Sequence, residues 1–255
     1  MGADQPVPGR TISVRDEPGG TMLTERNDPT TSGFTPPATG DASLSGNEVE
    51  ALCFKAARGA GMSWGLAEEA GHAARWLHAR GLDGAAALLA HLDWAKDKSW
   101  SKVRPVAPDD IRAPDGGLMC PVALGAMISD MAMPFRDTGD VATGPVHRPI
   151  LILPFIHHVC RGQNAGVRVT AAGQTVQVAP DGSIRGEIAA FAAMEHAELH
   201  LSAAQDSGKL PVFQATAFAL PADTLTRLND YAMQTTVPAS DASRADAGSA
   251  GDDND

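Results

Sequence analysis

A chain of 255 residues, 43% of them hydrophobic, has apolar material for one ordinary domain or two small ones, although only 5% are aromatic. With 20 basic against 31 acidic residues, the formal net charge of −11 excludes the electrostatic footprint of a protein that binds nucleic acid or an anionic membrane. Three cysteines, Cys53, Cys120 and Cys160, with no Cys-x-x-Cys pair, argue against a disulfide framework and a structural zinc site. The N-terminus lacks the apolar core of a secretory signal and no apolar stretch is long enough to span a bilayer, so a cytoplasmic protein is expected.

Residues 1–42 are rich in Gly, Pro, Thr and Asp, carry six acids against three bases and show no hydrophobic period. Such a segment cannot offset its ordering entropy, which predicts a disordered arm ahead of a domain that starts near Ser43. Ser45 and Glu48 have capping-box spacing. Val49, Leu52, Cys53 and Ala56 then form one helical face, ended by Gly59 and Gly61. Ser63 is placed to cap a second helix with Leu66, Ala70, Ala73 and Leu77 inward and Gly81 beyond its end. Asp83 caps a third, with Ala85, Leu88, Leu89 and Leu92 inward. Short connections make these helices antiparallel neighbours.

Residues 97–117 are polar, carry Pro105, Pro108 and Pro114, and read as a connection that ends in the turn Asp115-Gly116-Gly117. Pro121 opens a short helix to about Met131. Ile150–Leu153 is a continuous apolar run, consistent with a buried strand, and Pro154 starts a helix to about Arg161. Val167–Thr170 and Thr175–Val178 alternate as a hairpin, and Asp181-Gly182 turns into a third strand near Ile184. Glu198–Leu201 and Val212–Leu220 read as further strands. Pro221 opens a last helix with Leu225, Leu228 and Ala232 inward. The expected fold is α+β: an N-terminal three-helix unit packed on a mostly antiparallel sheet, with a C-terminal helix. The expected organisation is an arm over 1–42, one domain over 43–237 and an acidic tail over 238–255 able to fold back on the domain.

No dinucleotide fingerprint, P-loop, metalloprotease helix or nucleophile elbow is present, and no cofactor is identifiable. Cys120 follows Gly116-Gly117-Leu118-Met119 and precedes Pro121, which predicts a thiol at a helix N-terminus. Amides and dipole there would favour thiolate, a nucleophile or acid/base group; a buried structural cysteine is the plainer alternative. The corner Arg58–Glu69 holds two glycine turns, Arg58, Trp64, Glu68 and Glu69, either an anion-binding turn or a rigid helix–turn–helix corner with a packed Trp64. Glu195-His196-Ala197-Glu198-Leu199-His200 would place three metal-binding types on one face of a strand, or form a solvent-facing stripe. His157, His158 and Cys160 form a second, weaker group, and Cys53 reads as core.

Several of these stretches are familiar. Asn47-Glu48-Val49-Glu50-Ala51-Leu52, the run Lys55–Ala70 and Trp76-Leu77 resemble the opening of a bacterial family of domains of unknown function, number 3726. Cys120-Pro121-Val122-Ala123-Leu124-Gly125 resembles its middle signature. Val237–Arg244 and the final Asp253-Asn254-Asp255 resemble its end, so the likeness covers about residues 43–255. It implies no named reaction. It does imply that the arm 1–42 is extra, that the terminal acids belong to a motif, and that His157, His158, His196 and His200 are not shared.

The candidate catalytic residues are Cys120, Glu68, Glu69 and Asp115, and the candidate substrate-binding residues are Arg58, Trp64, Asp253, Asn254 and Asp255, with no metal assigned. Arg58 would hold a carboxylate, and Cys120 or a glutamate would move a proton. That inventory suits cofactor-independent isomerase or lyase chemistry, or an enzyme's accessory subunit, on a small, polar, amino-acid-like metabolite. The rival is a non-catalytic module that binds a ligand or partner. No nucleic acid or membrane partner is expected; a homo-oligomer is compatible with the sequence.

Overall fold

The computed structural model describes residues 41, 43–132, 140–204, 210–214 and 219–235, all within one compact unit. The expected arm over 1–42, except Asp41, and the tail over 238–255 lie outside the described residues.

The N-terminal helices form where their local signals put them. Helix α1 (Gly46–Gly59) starts at a complete capping box: the Ser45 amide donates to Glu48 Oε2 at 2.7 Å and the Glu48 amide to Ser45 Oγ at 3.3 Å. It buries Val49, Cys53, Ala56 and Ala57. Helix α2 (Trp64–His78) follows, with Ser63 at its N-cap position but making no side-chain cap bond. Gly81 then takes φ +68°, the left-handed turn that needs no Cβ. Helix α3 (Gly84–Ala95) is capped by Asp83, which accepts from the Ala86 amide at 2.8 Å. Helix α4 (Pro121–Asp130) begins with proline after Cys120.

The sheet has the order β1-β5-β2-β3-β4 and is antiparallel throughout. Strand β2 (Val167–Ala171) turns into β3 (Gln174–Val178) through Ala172 and Gly173, both at positive φ, as a tight hairpin requires. Strand β4 is Ile184–Gly186, and β5 is His196–Ala203, which buries Ala197, Leu199 and Leu201 and exposes His196, Glu198 and His200. Helix α5 (Leu153–Gln163) contacts β2 and β3 on one face of the sheet; short helix α6 (Ile188–Ala192) contacts β3. Helix α7 (Ala222–Met233) packs on α1 and α3 with Leu225, Leu228 and Ala232 buried, as their spacing predicts. The fold class is therefore α+β, with helices at the N-terminus and a C-terminal helix.

Three readings of the sequence are corrected. Ile150–Leu153 is not a strand: Pro149–Ile152 forms a 3-10 turn that runs into α5 at Leu153. A buried helix and a buried strand look alike in a short apolar run, and the flanking Pro149 and Pro154 both suit a helical start. Strand β1 (Val141–His147) was not expected, because Gly144 and Pro145 interrupt it. It tolerates them because it lies at the sheet edge, with an irregularity in its pairing between Ala142 and Pro145. The strand expected at Val212–Leu220 does not form over its described part: Val212 makes an isolated bridge to Arg185, Leu220 stands in another bridge, and residues 215–218 lie outside the described set. Among the described residues, no helix is long and apolar enough to cross a membrane.

Helices α1 and α7 cross so closely at Gly59 that a Cβ there would overlap the Tyr231 carbonyl. Gly59→Ala is expected to cost about 1–3 kcal/mol, lowering the thermal midpoint by roughly 2–4 °C per kcal/mol. Gly65→Ala, with nothing within 4 Å, is the control and leaves the midpoint unchanged or raised.

Candidate functional site

Helix α3 is apolar almost all round, yet it carries His91 with no exposed surface. Two buried ring nitrogens must find partners. Nε2 lies 3.1 Å from Cys120 Sγ, and Nδ1 lies 3.2 Å from Nδ1 of His147. Cys120 is the N-cap of α4 and His147 ends β1, so three separate elements meet at one hydrogen-bonded row. The backbone around Cys120 is held on both sides. Its amide donates to Val103 O at 2.7 Å, Met119 N–H donates to Pro145 O at 2.8 Å, and His147 N–H donates to Met119 O at 3.0 Å.

Each contact in the row needs one donor and one acceptor. With hydrogen on His91 Nδ1, that nitrogen donates to His147 and Nε2 accepts the Cys120 S–H. With the other tautomer the direction reverses. In both arrangements all three groups are neutral.

Aromatic rings close the row from outside. Trp94 stacks on His147 with centroids 4.8 Å apart and 15° between planes, and on His91 at 5.5 Å and 28°. Trp100 tilts against His91 at 6.1 Å and donates its Nε1–H to Ala60 O at 3.2 Å. Lys98 lies over Trp94, its Nζ 4.7 Å from the ring and 2.6 Å from the Trp94 carbonyl. Asp93, one residue earlier, is gripped by α7 through Arg227 at 2.6 Å and the Tyr231 hydroxyl at 3.1 Å. A cavity of about 290 Å³ lies beyond Trp94, lined by Trp94, Asp97, Lys98, Lys102, Val103 and Asp115 among others.

The structure distributes the residues singled out in the sequence over several places. Arg58 donates to Met62 O and sits 5.6 Å from the Trp64 ring, whose Nε1–H donates to Glu68 Oε1 at 2.8 Å. Trp64 and Glu68 line a cavity of about 340 Å³ between α1 and α2. Glu69 lines a different cavity of about 510 Å³, with Trp76, His157, His158 and Arg161. Asp115 lines the cavity beside Trp94, Cys120 is buried against His91, and Asp253, Asn254 and Asp255 lie outside the described residues. No single concavity gathers Arg58, Glu68 and Cys120. His157 accepts from Trp76 Nε1–H at 3.0 Å, and Cys160 donates to Val178 O. His196, Glu198 and His200 do share the exposed face of β5. Among the described residues, no group of three His, Cys, Asp or Glu side chains is placed to hold a metal ion.

The sequence reading missed His91 and His147. The available signal for His91 was its position in a helix apolar on nearly every side, three residues after Leu88 and one before Leu92, where a polar group has to be partnered.

The expectation of a thiolate at Cys120 is also corrected. Burial pushes its thiol up to about 12, and the Val122 and Ala123 amides at the start of α4 pull the other way without overcoming it. Burial, reinforced by His147, holds His91 down at about 3. His147 is held at about 4 by burial and by the charges of Arg148, His196 and Lys98. For a histidine whose folded value lies below its ordinary 6.5, the unfolded chain binds the extra proton between the two values. Stability is then full above pH 6.5 and falls as the pH drops toward 4, with a slope of up to about 1.4 kcal/mol per pH unit from His91. Urea unfolding across pH 4–7.5 checks this; His91→Gln should flatten the slope, and an unchanged slope would contradict the burial of a neutral imidazole.

No curated protein and no solved structure matches the chain. Residues 44–120 match the model of a family described as protein of unknown function, DUF3726. The matched stretch takes in the capping box of α1, His91 and Cys120, and stops before His147; the terminal acids lie beyond it. Over residues 44–120, the chain is similar to the DUF3726 family of proteins of unknown function.

Proposed function

We propose that this protein is an enzyme of isomerase or lyase type that acts on a small, polar, amino-acid-like metabolite in the cytoplasm, with Cys120 as its reacting group. The observation that carries this is the row Cys120 Sγ–His91–His147, closed at 3.1 and 3.2 Å. A thiol is a poor base or nucleophile while protonated and becomes effective when an adjacent base takes its proton. His91 Nε2 is placed to accept that proton, and His91 Nδ1–H then points at His147. His147 orients the imidazole and shares the charge that develops on it.

The resting pair is neutral because the site is dry. Opening of the Trp94 and Trp100 rings would admit substrate and water together, which favours the thiolate–imidazolium form. Proton removal beside a carbonyl, and its return to the same or a neighbouring carbon, needs only such a pair. The carbon–hydrogen electron pair stays on the substrate, and the proton passes to sulfur and back.

A second reading follows from the complete burial of Cys120 and His91: the row is a polar clasp inside a non-catalytic binding module. Thiol reactivity separates the two. Cys53 is equally buried, with its thiol also pushed up to about 12, but it has no imidazole neighbour in its described contacts. On the enzymatic reading, iodoacetamide at pH 7.5 modifies Cys120 at least tenfold faster than Cys53, and His91→Gln removes the difference, as read by peptide mass spectrometry. Equal sluggishness at both cysteines, unaffected by His91→Gln, sinks the enzymatic reading.

A further inference from the structure

His147 is the outward end of the row, and its surroundings are cationic. It stands opposite His196 in the β1–β5 ladder. It is followed by Arg148, whose backbone sits at φ 47°, ψ 66°, a left-handed conformation that is strained for a non-glycine residue. Arg148 Nε is buried without a hydrogen-bond partner, and its guanidinium makes no ion pair among the described residues. Lys98 approaches from the α3 side, over the Trp94 ring that stacks on His147, and it too has no carboxylate partner among the described residues.

The chain carries 31 acidic residues against 20 basic ones, so carboxylates are plentiful. Even so, among the described residues no carboxylate pairs with Arg148 or with Lys98, whose ammonium is bonded to the Trp94 carbonyl instead. A partly buried, unpartnered guanidinium loses hydration without return unless an anion supplies it. The cavity of about 290 Å³ beside Lys98 and Lys102 is at the small end of ligand sites. Its Asp97 and Asp115 would repel a bare anion and suit an ammonium group.

We infer that the substrate is a small carboxylate whose anionic group is held by Lys98 and Arg148 at the outer edge of the Trp94–His147 stack. This rests on the row Cys120–His91–His147 being the reacting centre. Asp97 and Asp115 favour carboxylates that also carry an amino group, and Trp94 separates the bound anion from the thiol until the ring moves.

The test uses the full chain and two alkylating probes of nearly equal size, anionic iodoacetate and neutral iodoacetamide. Their rate ratio at Cys120 is compared with the ratio at the same cysteine in the urea-unfolded chain. The native ratio is expected to exceed the unfolded one by about tenfold and to fall to it in Lys98→Gln/Arg148→Asn. Asparagine accepts the left-handed backbone at 148, and Lys98→Gln alone, at an exposed position, serves if the double variant does not fold. A second measurement is the shift in thermal midpoint produced by malonate in the wild type, in Cys120→Ala and in the cation variants, because an anion bound only by the native state raises stability. The shift should persist in Cys120→Ala and vanish in the cation variants. A native ratio no higher than the unfolded one, or a ratio unchanged by the variants, overturns the anion site while leaving the thiol reading standing. If neither probe reaches Cys120, the enzymatic reading fails and malonate decides the anion site by itself. Equal malonate shifts in every variant, or none in the wild type, overturn it.

Discussion

The site depends on the clip that holds Met119 and Cys120 between two other pieces of backbone. Met119 adds to the free edge of β1, exchanging bonds with Pro145 and His147, and Cys120 N–H reaches back to Val103. A proline at position 145 has no N–H to offer, so its carbonyl alone serves that contact. The same three bonds fix where α4 starts, where β1 ends, and therefore where a thiol and an imidazole face the His91 ring. Without the clip there would be no fixed distance between sulfur and nitrogen.

Burial has two opposing effects here. It suppresses charge on each of the three groups, so the closed state holds a thiol and two neutral imidazoles. It also strengthens every interaction that a transferred proton would create, since little water competes. The ring stack is what keeps both effects in place. Trp94 covers the imidazoles, and Arg227 and Tyr231 of α7 anchor the residue before it. An exposed ion pair of this kind adds little stability; its value lies in fixing the end of α3.

The elements that read clearly in the sequence are those with local causes. Ser45 and Glu48 lie within one helical turn of each other, and Leu225, Leu228 and Ala232 lie on one face whatever surrounds them. Cys120 before Pro121 is a local signal too, and it placed the thiol at the start of α4. Its protonation was not legible, because the deciding term is the desolvation supplied by residues far apart in the chain. His147 was hidden for a related reason. Gly144 and Pro145 argue against a strand until an edge with one paired side is available. Ile150–Leu153 misled because apolarity without a period reports burial and not conformation. The corner holding Arg58, Trp64 and Glu68 formed as a unit, but its distance from Cys120 is a tertiary fact that no spacing encodes.

The unequal mounting of the two sides of the thiol has a consequence for selectivity. Sulfur is set in a frame of three backbone bonds, whereas Trp94, which stacks on the two imidazoles, stands near a helix end followed by polar, solvent-facing residues from Lys96 to Ser99. Any molecule that reaches the sulfur past Trp94 must turn the indole on its anchored backbone and leave the frame where it is. Different visitors would then find the same reactive atom at the same coordinates, and discrimination among them would reside in how far the indole can be pushed. Variation along Lys96–Lys102 could thus retune which molecules are admitted without disturbing the group they meet.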